Sequence, residues 1–305
     1  IVDGDEYEIA TFRSEWYDPD LGDGRRPDQV IFSTPDKDAQ RRDLTINALF
    51  YDINEKEIRD YVQTGIQDIK EKKVRFVGNP VDRLREDKLR LMRLFRFFHR
   101  LSDQSITLSL DEATKSAIAQ FKDMNGVSSE RIVNEFISSL NKAQKVSQYL
   151  LDLSEFGLFP AIFGLNEANQ LENVGEQKNV AAVLAWLFRN LKPQKAREIL
   201  NQLKYPNQVS DLVEFILKLD KLDVSKVHLL LKRRDIYKQL DEPARSEAQA
   251  SLFEAVRTFG KISSQSFEYF LNYQPSVSAK DFLHLKGKEI SDAMMAEEAK
   301  RYLKN

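Results

Sequence analysis

The hydrophobic pattern changes period once, near residue 80, and that change limits what the chain can fold into. Before it, apolar residues come in short runs separated by Gly, Pro and Asp, as in brief strands joined by turns. After it, they recur at spacings of three and four almost to the C-terminus, as in amphipathic helices. The expected architecture is a small α/β segment followed by an all-α body, with the switch near residues 65–80.

In the first segment, Ile1-Val2, the turn letters Asp3-Gly4-Asp5 and the run Tyr7 to Phe12 read as a hairpin over residues 1–13. Residues 14–29 are polar and aperiodic, so they read as a loop. Gln29 to Phe32 is a short strand, and Ser33-Thr-Pro-Asp36 starts a helix whose last turn or link is Asp38 to Asp43. Ile46 to Tyr51 reads as buried, and Ile58 to Val62 as a further strand. Helical patterns then cover 82–101, 112–122, 129–153, 177–202, 208–219, 224–239, 242–259, 263–272 and 289–303.

Composition narrows the chemistry. With no cysteine, disulfide scaffolds, thiolate metal sites and Cys nucleophiles are excluded. His99, His228 and His284 sit in separate helical patterns, none with a second ligand at metal spacing, and read as ordinary helix positions. No run of about 18 apolar residues occurs. The run Val180 to Phe188 is too short to span a membrane and reads as a buried helix. The chain opens at Ile1 in what looks like a strand already in progress, so an upstream segment is expected.

Net charge is -2, yet it is unevenly spread. Residues 71–100 hold ten Lys/Arg against four Asp/Glu, a local +6 that leaves -8 for the remainder. A concentrated basic stripe on an acidic chain hints at phosphate binding, although a solvated helix face has the same letters.

Two constellations carry chemistry. The first is Arg41-Arg42-Asp43, ahead of Leu44 to Asn47. Guanidinium groups fork onto phosphate or ribose oxygens, and a carboxylate binds a hydroxyl or a metal. Such a triplet is also common on surfaces. The second is Arg85-Glu86-Asp87-Lys88-Leu89-Arg90, continued by Arg93 and Arg96. Asp87 and Arg90, three apart on a helix, would share a face. Asp accepts and Arg donates, which complements the amine and ring nitrogen shared by cytosine and adenine and mismatches uracil and guanine. A salt-bridged helix with Glu86 paired to Arg90 explains the same residues.

Taken together and in order, these motifs are similar to those of the class II tRNA nucleotidyltransferase and poly(A) polymerase family. Phe12-Arg13, Asp23-Gly24-Arg25-Arg26-Pro27, Asp38 to Asn47, Asp60-Tyr61-Val62, Lys73 to Pro80 and Glu86 to Phe97 resemble its consecutive motifs. Gly126 to Ile132 with Glu135 resembles a further neck motif, and Val277 to Ile290 a tail segment of CCA-adding members. The resemblance is dense over residues 6–136, sparse over 137–270 and modest at the end.

The resemblance implies an α+β fold: a truncated nucleotidyltransferase β-sheet head over 1–67, a helical neck with nucleotide- and RNA-binding motifs over 68–160, and a helical body and tail over 161–305 that binds tRNA. It implies template-independent transfer of CMP and AMP from CTP and ATP to the 3′ end of tRNA. A poly(A) polymerase of the same family and a noncatalytic RNA-binding relative are the alternatives. In these roles Asp87 and Arg90 would read the base, and Arg42 would contact the nucleotide with Arg41, Arg93 and Arg96. Asp43 would be a third active-site carboxylate, Arg131 would brace the neck, and Arg25 and Arg26 would serve structure or RNA binding. Residues 14–24 correspond to a mobile loop of the family. The family's Gly-Gly-x-Val-Arg-Asp stretch and the Asp-x-Asp pair that binds Mg2+ are not in this sequence. They are expected upstream of Ile1, so residues 1–305 alone are expected to be inactive. No membrane partner is expected. The expected location is cytoplasmic, with mitochondrial as the alternative.

Overall fold

A computed structural model describes residues 9–16, 29–102, 105–168, 170–220, 223–259 and 263–304. It divides into two compact units, Ile1–Glu167 and Ala168–Asn305. The residues expected to open the first hairpin, and Arg25 and Arg26, lie outside the described residues.

The first unit begins with strand β1 (Arg13–Trp16) antiparallel to β2 (Gln29–Phe32), with Arg13 opposite Phe32. β1 includes residues 14–16, which the sequence reading assigned to a loop. Its ladder to β2 supplies the hydrogen bonds, so no alternation of apolar side chains was needed to make it a strand. Helix α1 (Pro35–Arg41) follows, with Pro at its first position, where a missing N–H costs nothing. After a short 3-10 turn (Thr45–Asn47), β3 (Leu49–Asp52) pairs antiparallel with β4 (Glu57–Asp60). Tyr51 is exposed, so the Ile46 to Tyr51 run is buried only in part. β4 stops at Asp60, whose carboxylate accepts the N–H of Ile66 at 3.0 Å and turns the chain into α2 (Gly65–Glu71).

Gly65 is where the close packing tolerates no side chain. A Cβ there would lie 2.6 Å from the Thr45 carbonyl oxygen and 2.9 Å from Leu49 Cδ2. Asp43 to Thr45 is tied to residues 75–77: Thr45 N–H donates to the Arg75 carbonyl (3.2 Å) and Val77 N–H to the Asp43 carbonyl (3.1 Å). Beneath lies a small core of Ala39, Ala48 and Val77, covered by Phe50, Tyr61 and Val62. Two-residue strands β5 (Lys73–Val74) and β6 (Ser109–Leu110) pair in parallel.

The helix expected over 82–101 is two helices, α3 (Pro80–Glu86) and α4 (Leu89–Leu101). Asn79 caps α3 by accepting from Val81 N–H at 2.9 Å. Asp87 breaks the run: its backbone is extended (φ -155, ψ 105) and its Oδ1 accepts the Leu89 N–H at 3.0 Å. A short acidic side chain that can bond a nearby backbone N–H favours a cap over a helix interior. Helices α5 (Glu112–Phe121), α6 (Ser129–Lys142), α7 (Val146–Glu155) and α8 (Phe159–Phe163) complete the unit. The 129–153 pattern is thus split at Ala143, where Gln144 N–H turns to the His99 carbonyl (3.0 Å). α4 packs on α6, burying Leu91, Leu94 and Phe95 from one and Ile132, Val133 and Phe136 from the other.

The second unit is helical: α9 (Val180–Phe188), α10 (Pro193–Gln202), α11 (Asn207–Asp220), α12 (Val227–Lys238), α13 (Glu242–Phe259), α14 (Ser264–Asn272) and α15 (Lys288–Lys304). α9 is buried from Ala181 to Phe188 and packs against α11 and α13, so an apolar helix is hidden on all sides. Arg234, almost wholly buried, donates to the carbonyls of Phe270 and Tyr273 (2.5 and 2.8 Å), satisfying the end of α14. Among the described residues no helix is long and apolar enough to cross a membrane.

Candidate functional site

Local sequence rules place three of the site residues. In α1, Asp38 precedes Arg41 by three and Arg42 by four, so both guanidinium groups can reach one carboxylate. Arg41 Nη2 lies 2.8 Å from Asp38 Oδ2, and Arg42 Nε lies 3.0 Å from Oδ1. The N–H of Arg13 also donates to Asp38 (3.1 Å). Burial pushes this carboxyl upward, but Arg41, the Arg13 N–H and Arg42 outweigh it and hold the pKa below the ordinary value. Arg42 further donates to the Asn47 carbonyl (3.1 Å) and lies over the Phe50 ring at 4.8 Å. Asp38 did not stand out in the sequence as a functional residue, although its spacing to the two arginines was there to be read.

Asp43 extends from the end of this segment to α4. Its Oδ1 is 2.8 Å from Arg90 Nε and its Oδ2 is 2.9 Å from Arg93 Nη1. Arg90 is almost fully buried. It also pairs with Glu86, and it donates to the Arg83 carbonyl (3.2 Å) and the Arg41 carbonyl (3.4 Å). Burial works against the charge on Arg93, yet Asp43 outweighs it, and the arginine pKa is raised.

Asp87 and Arg90 therefore do not share one face of a continuous helix. Asp87 stands in the break between α3 and α4, and Arg90 is on the first turn of α4. Asp87 Oδ2 accepts from Arg131 Nη2 of α6 at 2.7 Å. One turn beyond Arg131, Glu135 lies 2.8 Å from Arg96 Nε. Its carboxyl is raised by burial, which Arg96 and Arg93 only partly offset. Arg96 also lies 4.9 Å over the Phe97 ring. The structure thus gathers Asp43, Asp87, Arg90, Arg93, Arg96 and Arg131 into one arginine–carboxylate cluster, in which Arg93 feels the charges of Asp43, Asp87 and Glu135. The Arg41 side chain stays on Asp38, and Arg41 meets the cluster through its carbonyl, which accepts from Arg90. Arg42 is joined to it through Asp38.

Such a cluster can hold an anion by its half-exposed arginines while its buried carboxylates fix their orientation. It does not fit a magnesium site. Both Asp43 oxygens are taken by guanidinium groups, and among the described residues no group of three or more His, Asp or Glu could hold a metal ion. A cavity of about 600 Å³ lies in the second unit, between α10, α11 and α12, and none of the cluster residues lines it.

Comparison with known proteins adds a family. Residues 1–75 match the model of the poly A polymerase head domain. The chain is 36% identical over 221 residues to the CCA-adding enzyme of Bacillus velezensis, covering 68% of this chain and 52% of that protein. It is 32% identical over 167 residues to poly(A) polymerase I of Haemophilus influenzae, covering 52% of this chain and 35% of that protein. The chain spans about half the length, or less, of the curated relatives it matches first. Among solved structures, the Bacillus stearothermophilus CCA-adding enzyme in complex with CTP superimposes with a TM-score of 0.57 at 23% identity, over 97% of this chain and 74% of that one. That likeness agrees with the α+β fold expected from the sequence.

Proposed function

We propose that this chain, a member of the class II tRNA nucleotidyltransferase and poly(A) polymerase family, serves template-independent addition of CMP and AMP, from CTP and ATP, to the 3′ end of tRNA. The observation that carries this reading is the convergence of two distant motifs. Asp43 of Arg41-Arg42-Asp43 is held by Arg90 and Arg93 of the neck helix. A solvated surface stripe has no reason to bring those two segments together around one carboxylate.

In this proposal Asp87 and Arg90 meet the base, by the donor–acceptor match of an acid and a guanidinium to cytosine and adenine. Arg42, a third exposed and already set by Asp38 and Phe50, takes the ribose or triphosphate with Arg41. Arg93 and Arg96 lie along the triphosphate. Arg131 braces the neck through Asp87. Arg25 and Arg26 serve structure or RNA contact. The head (1–67), neck (68–160) and body and tail (161–305) divide the work as the family resemblance implies, with the tRNA body on the helical part. Magnesium and a cytoplasmic setting belong to the same proposal, the ion through carboxylates other than those described.

The test uses the full-length protein and tRNA lacking its 3′ end, supplied with CTP and ATP separately and together. Addition of C residues with CTP and a terminal A with ATP supports the reading. A long A tract made from ATP alone would instead support poly(A) synthesis, the reading favoured by the Haemophilus influenzae relative. Binding without addition would point to a noncatalytic RNA-binding role.

A further inference from the structure

We propose that Asp43 is a positioning residue for base selection, fixing the guanidinium of Arg90 from across the motif boundary. The proposal rests on the reading above that Arg90 meets the incoming base.

A guanidinium is planar, and contacts along two of its edges leave it no freedom to turn. Arg90 is held in this way. Nε meets Asp43 at 2.8 Å, and Nη1 meets Glu86 and the Arg83 carbonyl. Nη2 makes the longest of these contacts, 3.4 Å to the Arg41 carbonyl. Where Asp43 and Glu86 stand therefore decides which edge of Arg90 a base would meet. Glu86 is a local partner, four residues back at the end of α3. Asp43 is not local. Its backbone is anchored by Val77 N–H (3.1 Å), and the next residue, Leu44, bridges Phe76. The same carboxylate takes Arg93, one turn on, with its second oxygen. One side chain thus aligns two arginines of α4 against a fixed point on the first motif. With one oxygen on each guanidinium group, Asp43 is placed to orient both arginines at once.

Asp43→Asn keeps the shape but removes the charge. The amide oxygen can serve one arginine, while the amide nitrogen turns a donor toward the other. Arg90 then loses its fixed plane, and a wrongly presented base edge costs little more than the right one.

The experiment uses the full-length protein, tRNA lacking its 3′ end, and each of the four nucleoside triphosphates offered singly. Asp43→Asn, Arg90→Ala and the double variant are compared with the parent. Each variant is first melted to verify folding. Asp43→Glu, which keeps the charge but displaces it by a methylene, stands in if Asp43→Asn does not fold and should lose the same preference. Equilibrium binding of CTP and UTP reads selection where turnover is too slow. The preference for CTP and ATP over UTP and GTP should fall about tenfold in Asp43→Asn, the scale of one misplaced hydrogen bond. It should fall comparably in Arg90→Ala, with no further fall in the double variant, because residues acting through one another are not additive. Two outcomes overturn the inference: selection unchanged while kcat falls equally for all four nucleotides, or losses that simply add in the double variant. If the parent itself adds neither CMP nor AMP, the functional reading fails and takes this inference with it. If the parent selects and Asp43→Asn selects equally well, only this inference fails.

Discussion

Arg131 on α6 donates from Nη2 to Oδ2 of Asp87 at 2.7 Å, joining residues 44 positions apart at the break between α3 and α4. The other oxygen of Asp87 accepts the Leu89 N–H. This carboxylate is therefore held from two sides, by the start of α4 and by the helix packed against it. A carboxylate offers about four lone-pair sites, so being held in this way does not prevent it from accepting a further donor.

Removing Arg131 tests how much that hold contributes. Asp87 is only 7% exposed, and Arg131→Ala leaves its carboxylate short of its charged partner. Unfolding in urea should show a loss of about 1–3 kcal/mol, the range for a buried polar group deprived of its bond. Arg131→Lys should recover only part, because a point charge cannot reproduce the guanidinium geometry. A change within about 0.5 kcal/mol for Arg131→Ala would place the pair among ordinary surface ion pairs.

Asp38 predicts a pH dependence. Its folded pKa lies below the ordinary value of 3.8 because Arg41, the Arg13 N–H and Arg42 overcome burial. The unfolded chain then binds the proton more readily than the folded one, so stability rises with pH across that interval. The contribution is complete above the unfolded value and is lost as pH falls through the folded one. Thermal melts of the parent should lose stability below about pH 4. In Asp38→Asn that part of the profile should be flatter, with lower stability at neutral pH. Profiles of identical slope would remove Asp38 from the acid response.

Gly65→Ala separates propensity from packing. Alanine is the better helix former by roughly 0.5–1 kcal/mol, and propensity alone predicts a stabilised protein. The structure predicts the opposite sign. The new methyl would meet a backbone oxygen at 2.6 Å, and the Thr45 peptide cannot move without disturbing the Asp43 to Thr45 segment. A loss of about 1–3 kcal/mol in chemical denaturation is expected, as for overpacking elsewhere. A gain would show that the contact relaxes freely.

These relationships mark where sequence reading stops. The switch from short strands to helices was visible because periodicity reports burial of a face, and α11 to α15 follow their patterns closely. The break at Asp87 was not, since it turns on a local contact in which the Leu89 N–H donates to the Asp87 carboxylate. β5 and β6, two residues each, are too short to leave a pattern. Asp38 could have been found from its spacing to Arg41 and Arg42. The resemblance put Asp43, Arg90 and Arg93 around one nucleotide, but their direct pairing was not legible, because nothing in one motif encodes its contacts with another.

Arg42 predicts a kinetic signature without base preference. It is held by Asp38 and the Asn47 carbonyl and rests on Phe50. In the full-length protein, Arg42→Ala should raise KM for CTP and ATP by similar factors, leaving their ratio unchanged. An effect confined to one nucleotide in steady-state kinetics would reassign Arg42 to base reading.

The sharpest prediction is that Asp87 and Arg90 select the base. They reach the same cluster by different routes, Asp87 from the break, held by Arg131, and Arg90 from the first turn of α4, held by Asp43. A mismatched base against such fixed groups leaves a polar atom unpaired, at a cost of roughly 1–3 kcal/mol. In the full-length protein, Asp87→Ala should therefore admit UTP and GTP as well as slow overall addition, and Arg90→Ala should do the same. Lys88 is the control: it pairs with Asp123 at 2.8 Å and lies over Phe121, outside the cluster. Lys88→Ala should keep the parent's choice of nucleotide. A role limited to ion pairing makes a different forecast, in which all three variants lose stability and none changes selection. Steady-state incorporation of the four nucleotides decides between them. If Asp87→Ala still selects CTP and ATP as the parent does, base reading belongs to other residues, and the hold of Arg131 on Asp87 is a brace alone.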